Sequence, residues 1–181
     1  VEELVTKHTM HLIMSGNHKQ LKPKQYNYEI ERKYHFDVSM FERLINNEIP
    51  YASLKYQRRM KPLFADFVRL IYGESTYIDH ATTKGKEKAK GFESDMFIIT
   101  HTKIETPNIT LASKSNEYEA NYIVRLAHYI IQQGYKAEQI TILTLYVGQV
   151  LLIRKIARQQ KLFDVRITSV DNYQGEENDF I

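Results

Sequence analysis

The chain has 181 residues, enough for one sizeable domain or for one domain and a piece of another. With 43% hydrophobic and 12% aromatic residues it can build a core, which excludes general disorder, and its net charge of +3 is compatible with nucleic acid without pointing to it. The absence of cysteine excludes disulfides and thiolate metal sites, the seven histidines lack metal-site spacing, and no apolar run has the length of a membrane span.

The chain starts VEELVTKHT, without an initiating Met and without the apolar core of a signal peptide, and it stops inside GEENDFI, which reads as the middle of a strand. It is therefore expected to be a piece of a longer intracellular protein, cytoplasmic or nuclear. Residues 9–16, TMHLIMSG, are predicted as a short buried strand, and residues 24–37 as a loop without clear period. DVSMFERLINNE predicts a short helix capped by Asp37 or Ser39, with Met40, Phe41, Leu44 and Ile45 on one face and Asn46-Asn47 as its end. YASLKYQ alternates as a strand does. Pro62 then opens a helix with Leu63, Phe67, Leu70 and Ile71 at helical spacing, which Gly73 stops.

The tract ATTKGKEKAKG is a solvated loop or a basic contact with a phosphate backbone. A strand, DMFIITH, follows it, and then the longest helix, capped at Ser115 or Asn116. Its predicted buried stripe includes Tyr122, Ile123, Leu126, Ala127 and Ile130, and Gly134 terminates it. QITILTLY, VGQVLLIRKIARQQK and DVRITSV complete the chain as strand, helix and strand. This alternation predicts an α/β fold with a parallel, doubly wound sheet, in which function gathers where strands end. Four polar clusters lie at such ends: after HLIM, SLKY, TILT and ITSV.

The first cluster, GNHKQLKP, holds Gln20, whose amide both donates and accepts and can bridge a phosphate oxygen and a water; an ordinary loop is the other reading. In the second, QRRMKP, the neighbouring Arg58 and Arg59 point to opposite sides of a strand, so one of them can enter a cleft as a phosphate-neutralising finger or join a surface ion pair. The third, TLYVGQ, offers Thr144, Tyr146 and Gln149 at a strand-to-helix turn; Tyr146 either stacks on a base or closes the core edge. SVDNYQGEEND is the densest, with Ser169, Gln174, Gly175 and Glu177. Gly175 lets the backbone approach a ligand, and nothing here has the spacing of a calcium loop.

In this order, GNHKQLKP, QRRMKP and SVDNYQGEEND resemble motifs III, IV and V of superfamily 1 helicases, in the group of the nonsense-mediated-decay helicase. The finer resemblance, through SMFERL, SNEYEANYIVRLAHYIIQQGYKAEQITILTLYVGQ and SVDNYQGEEND, is to NFX-type zinc-finger helicases, linked to small-RNA silencing. It covers nearly the whole chain. It implies a RecA-like P-loop NTPase fold of the AAA-like helicase class, with residues 1–47 as the tail of the first RecA-like domain and residues 48–181 as the second, ending after motif V. By the same resemblance Gln20 senses the terminal phosphate and Arg59 reaches it as the finger. Arg58, Gln174, Gly175 and Glu177 lie near the nucleotide, and Thr144, Tyr146, Gln149 and Ser169 near the nucleic-acid backbone. ATP with Mg2+ is the implied cofactor of the parent, and single-stranded RNA or DNA and the first RecA-like domain are the implied partners.

Asn17 stands where the family usually has Asp, Arg58 where it often has Tyr or His, and Leu145 within a segment that often reads T-P-Y. The sequence contains no GxxxxGK[ST] loop and no DEA-type acidic pair, so this chain alone is expected to be inactive toward ATP and to hold none tightly. Two functions stay open: part of an ATP-dependent helicase, or a non-catalytic nucleic-acid-binding or scaffolding relative.

Overall fold

A computed structural model describes residues 6–22, 28–108 and 113–181, and its contacts divide the chain into two units, Val1–Glu87 and Lys88–Ile181. Among the described residues, no helix is long and apolar enough to cross a membrane.

In the first unit the predicted strand over 9–16 does not form. Met10 is 87% and Ile13 95% exposed, and an apolar run becomes a strand only where a ladder satisfies its backbone. Within the predicted loop, Tyr28–Tyr34 forms a helix, α1. Its charges explain the miss: Glu29 and Glu31 in the first turn and Arg32 and Lys33 in the last complement the helix dipole, a signal that apolar periodicity does not carry. Pro23 and residues 24–27 lie outside the described residues.

Helix α2, Met40–Asn46, starts where Ser39 Oγ accepts the amide of Glu42 at 3.1 Å, and it ends at Asn47. The predicted strand at 51–57 shrinks to β1, Tyr56–Gln57, which pairs in parallel with an unforeseen β2, Ile78–Asp79. Between them runs α3, Pro62–Tyr72, closed by Gly73 at φ +88. A residue with a Cβ rarely takes that conformation, so glycine ends this helix cheaply. The apolar stripe of α3 is open rather than buried: Leu70 is 84% exposed, and Ala65 is its buried residue.

The second unit holds the core. Helices α4, Glu117–Gln132, and α5, Val147–Gln159, pack with the parallel pair β5, Thr141–Thr144, and β6, Arg166–Ser169. Ala120 and Val124 are fully buried, and Ala127 and Ile130 nearly so, against Ile153 and Ile156 of α5 and Ile142 and Ile167 of the strands. Of the predicted stripe of α4, Ala127 and Ile130 are buried and Ile123 and Leu126 pack against this core, whereas Tyr122 does not join it. Tyr122 is 39% exposed, because the close contact falls on the small residues Ala120 and Ala127 and leaves the large ring at the margin.

DMFIITH forms no strand. Ile98 is 82% exposed, and Phe97 instead stacks on Phe92 with centroids 5.9 Å apart. A small antiparallel ladder unseen in the sequence joins β3, Thr106–Asn108, to β4, Ser113–Ser115. The end of the chain returns beside β5, where the amide of Thr141 donates to the carbonyl of Phe180 at 2.8 Å. Parallel β5–α5–β6 and β1–α3–β2 passages make the fold α/β and consistent with a RecA-like domain.

Candidate nucleotide and nucleic-acid site

In the first unit the loop with Gln20 is shaped by Asn17. The side-chain oxygen of Asn17 accepts the amide of Lys19 at 3.0 Å, and its backbone carbonyl accepts that of Gln20 at 3.4 Å. The Asn17 amide group then donates to the Tyr72 hydroxyl at 2.8 Å, and Lys19 Nζ donates to the carbonyl of Ile71 at 3.0 Å. The loop therefore leans on the last turn of α3. A carboxylate at position 17 could keep this contact only with its direction reversed, by accepting the Tyr72 hydroxyl proton.

Arg58 and Arg59 lie exposed just after β1, and the buried neighbour Gln57 sets their backbone. Gln57 Oε1 accepts the amides of Arg59 at 3.1 Å and Met60 at 2.9 Å. Its Nε2 donates to the Met60 carbonyl at 2.8 Å and to Asp79 Oδ1 at 2.6 Å. Asp79 also faces Arg69 NH2 at 2.5 Å. The Gln57 hydrogen bond, helped by Arg69 and opposed by burial, holds the Asp79 carboxyl below its usual range. Tyr77 stacks on Tyr72 at 5.5 Å, and burial pushes its phenol up while nearby Arg59 pulls it down. Sequence reasoning missed Gln57 as the residue that fixes the arginine turn. The available signal was a polar residue in the alternating core position of β1.

In the second unit Thr144 and Ser169 are register partners at the carboxyl ends of β5 and β6. Partners in neighbouring strands stand about 5 Å apart with side chains on one face; here Thr144 is half-buried and Ser169 is 7% exposed. Thr144 Oγ1 also accepts the amide of Tyr146 at 3.2 Å, which shapes the turn into α5. Thr144, Tyr146 and Gln149 line a cavity of about 450 Å³. Gln149 is 6% exposed; its Oε1 accepts the amide of Asn116 at 2.7 Å and its Nε2 donates to the Asn116 carbonyl at 3.1 Å. Its side chain is thus committed to joining α5 to the start of α4. Gly148 fits beneath β4 because a Cβ there would meet the Lys114 carbonyl oxygen at 3.0 Å.

After Ser169 the chain makes a 3-10 turn, Val170–Tyr173, followed by the exposed Gln174, Gly175 and Glu177. Gly175 has φ +85 with open space around it, so glycine is required for the turn rather than for room. Arg166 pairs with Glu176 at 3.1 Å and lies 5.1 Å over the Tyr173 ring. The Tyr173 hydroxyl is buried without a hydrogen-bond partner among the described residues. Among those residues no group of three or more His, Asp or Glu could hold a metal ion.

A family model described as an AAA domain matches residues 36–181. The chain is similar to the human protein called NFX1-type zinc finger-containing protein 1, 38% identical over 178 residues, covering 98% of this chain and 9% of that protein. It is 37% identical over 176 residues to the fission-yeast (Schizosaccharomyces pombe) protein called helicase required for RNAi-mediated heterochromatin assembly 1, covering 94% and 17%. With the putative regulator of nonsense transcripts 1 of Takifugu rubripes it shares 32% identity over 155 residues, covering 79% and 14%. The chain thus spans less than a fifth of the length of each of these relatives.

Proposed function

Because this chain belongs to the AAA-domain family, among the superfamily 1 helicases of the nonsense-mediated-decay group, we propose that it supplies the second RecA-like domain of an ATP-dependent RNA or DNA helicase. In this reading residues 48–181 form that domain and residues 1–47 belong to the first. This division concerns the parent's architecture, whereas contacts divide the chain after Glu87. With ATP and Mg2+ bound by the parent, this domain would close onto the nucleotide and onto the single strand, and hydrolysis would remove the bridging phosphate and let the domains part.

Each residue then has a physical task. Arg59 brings positive charge to the terminal phosphate, and Gln57 holds its backbone in the required turn. Gln20 reports the phosphate through an amide that both donates and accepts. Arg58 stacks its guanidinium on the adenine, and Gln174, Gly175 and Glu177 border the nucleotide. Thr144 and Ser169 hold backbone phosphates without reading bases, which suits a motor that travels over any sequence. Tyr146 stacks on the strand, and Gln149 supports this edge through Asn116. A role in RNA silencing is the corresponding expectation for the parent, since one relative's name carries RNAi.

The observation that carries the strand-binding part is the pairing of Thr144 with Ser169 at one sheet edge. A parent protein with Thr144→Ala and Ser169→Ala should bind single strands several-fold more weakly and keep its nucleotide affinity. Unchanged strand affinity in this folded double variant would make the two hydroxyls turn residues only.

A further inference from the structure

Two tyrosines that α4 turns outward line the cavity beside Thr144 and have no task in the reading above. Tyr118 and Tyr122 stand one helical turn apart, 43% and 39% exposed, with ring centroids separated by 6.5 Å. His101 packs on Tyr118 at 5.1 Å, and its Nε2 lies 3.0 Å from Glu119 Oε1. At another part of the wall is Tyr146, 44% exposed, with Lys114 Nζ 6.0 Å from its ring centroid. Ile123, Ile142 and Ile153 supply apolar lining.

A volume of about 450 Å³ lies within the roughly 300–1,000 Å³ of small-ligand sites and exceeds what one base needs. Tyrosine faces on an apolar lining favour a flat group with polar edges. Free phosphate is disfavoured inside, because Glu105 and Glu119 are also on the wall, paired with Lys114 and His101. A base can therefore enter while its phosphates stay at the Thr144–Ser169 edge, and a sheet's carboxyl end is where such ligands gather.

We propose that this cavity receives one unstacked base of the single strand held at Thr144 and Ser169, stacked on Tyr118 or Tyr122. This rests on the strand-binding reading, which the test separates from it. An oligouridylate RNA of about ten nucleotides, carrying one 4-thiouridine, is irradiated with the 181-residue chain and the crosslinked peptide is mapped. The crosslink should fall on the segment holding Tyr118 and Tyr122. In solution, Tyr118→Ala with Tyr122→Ala should weaken RNA binding about tenfold to a hundredfold, whereas the paired Phe substitutions should retain it, because stacking needs the ring alone.

Wild-type binding with unchanged affinity in a folded alanine double would overturn the base site and leave the strand reading intact. Loss of binding in the phenylalanine double as well would also overturn it, since the hydroxyls would then make the contact. Binding by the wild-type chain of neither this RNA nor the matching oligothymidylate DNA would overturn the strand reading itself. Should the alanine double fail to fold, the wild-type crosslink decides: a crosslink confined to other segments counts against the base site.

Discussion

Gln57 and Arg59 are two residues apart and do different things. The Gln57 side chain is buried and makes four hydrogen bonds, three of them to the turn that carries the arginines. The Arg59 side chain is exposed, and substitutions at exposed positions usually change stability by less than about 0.5 kcal/mol. If the parent is the proposed helicase and Arg59 its finger, Arg59→Ala should reduce turnover by about 10³- to 10⁵-fold, with little change in melting temperature or nucleic-acid binding. Gln57→Ala should lower stability by about 1–3 kcal/mol, because the Arg59 and Met60 amides lose their side-chain acceptor and Asp79 keeps only Arg69 of its two partners. Its turnover should fall too, with a lowered melting temperature as the distinguishing sign. A parent whose turnover survives loss of Arg59 would place the finger elsewhere.

At the scale of elements, legibility followed how local each signal is. Helices α2 to α5 could be read because caps, proline, glycine and the 3.6-residue period all lie within the segment. Ser39, Asn116, Pro62 and Gly73 each stand at or beside a helix end. Strands were read less well, since a strand exists only with a neighbour. TILT and RITS pair, whereas the more apolar HLIM and FIIT find no ladder among the described residues. The site residues showed the same split. The positions of Arg59, Thr144 and Ser169 at or just after strand ends could be read from the sequence. That of Gln20 could not because HLIM forms no strand, and the pairing of Thr144 with Ser169 and the seat of Gln149 on Asn116 are long-range facts. Asn116 is the element-scale test. Its Oδ1 accepts the Glu119 amide at 3.1 Å, its Nδ2 donates to the Lys103 carbonyl at 3.0 Å, and its backbone seats Gln149. Asn116→Ala should cost about 0.5–2 kcal/mol, as lost N-caps do, measured by denaturant unfolding. Asn116→Asp should retain most of the cap while losing the bond to Lys103. Equal stability of Ala and wild type would mean that α4 does not depend on this cap.

For the whole molecule, chemistry is set by which charges a chain can bring to a phosphate. Hydrolysis needs a cradle for the β- and γ-phosphates and a carboxylate for magnesium, and the sequence contains neither a GxxxxGK[ST] loop nor a DEA-type pair. In the proposed reading it offers edge contact only: an arginine turn braced by Gln57, an amide loop braced by Asn17, and the Gly175 turn. Edge contacts without a cradle should give nucleotide affinity near the millimolar level, worth only about 4 kcal/mol. The purified 181-residue chain should therefore release no phosphate from ATP, with or without Mg2+ and single-stranded RNA, and calorimetry should find at most weak nucleotide binding. RNA binding is expected to persist in the same sample and to weaken with salt, because phosphate contacts release counterions. Phosphate release that survives further purification and disappears in Arg59→Ala would show that this chain carries a complete hydrolytic centre, and would overturn its assignment as one half of a two-domain motor.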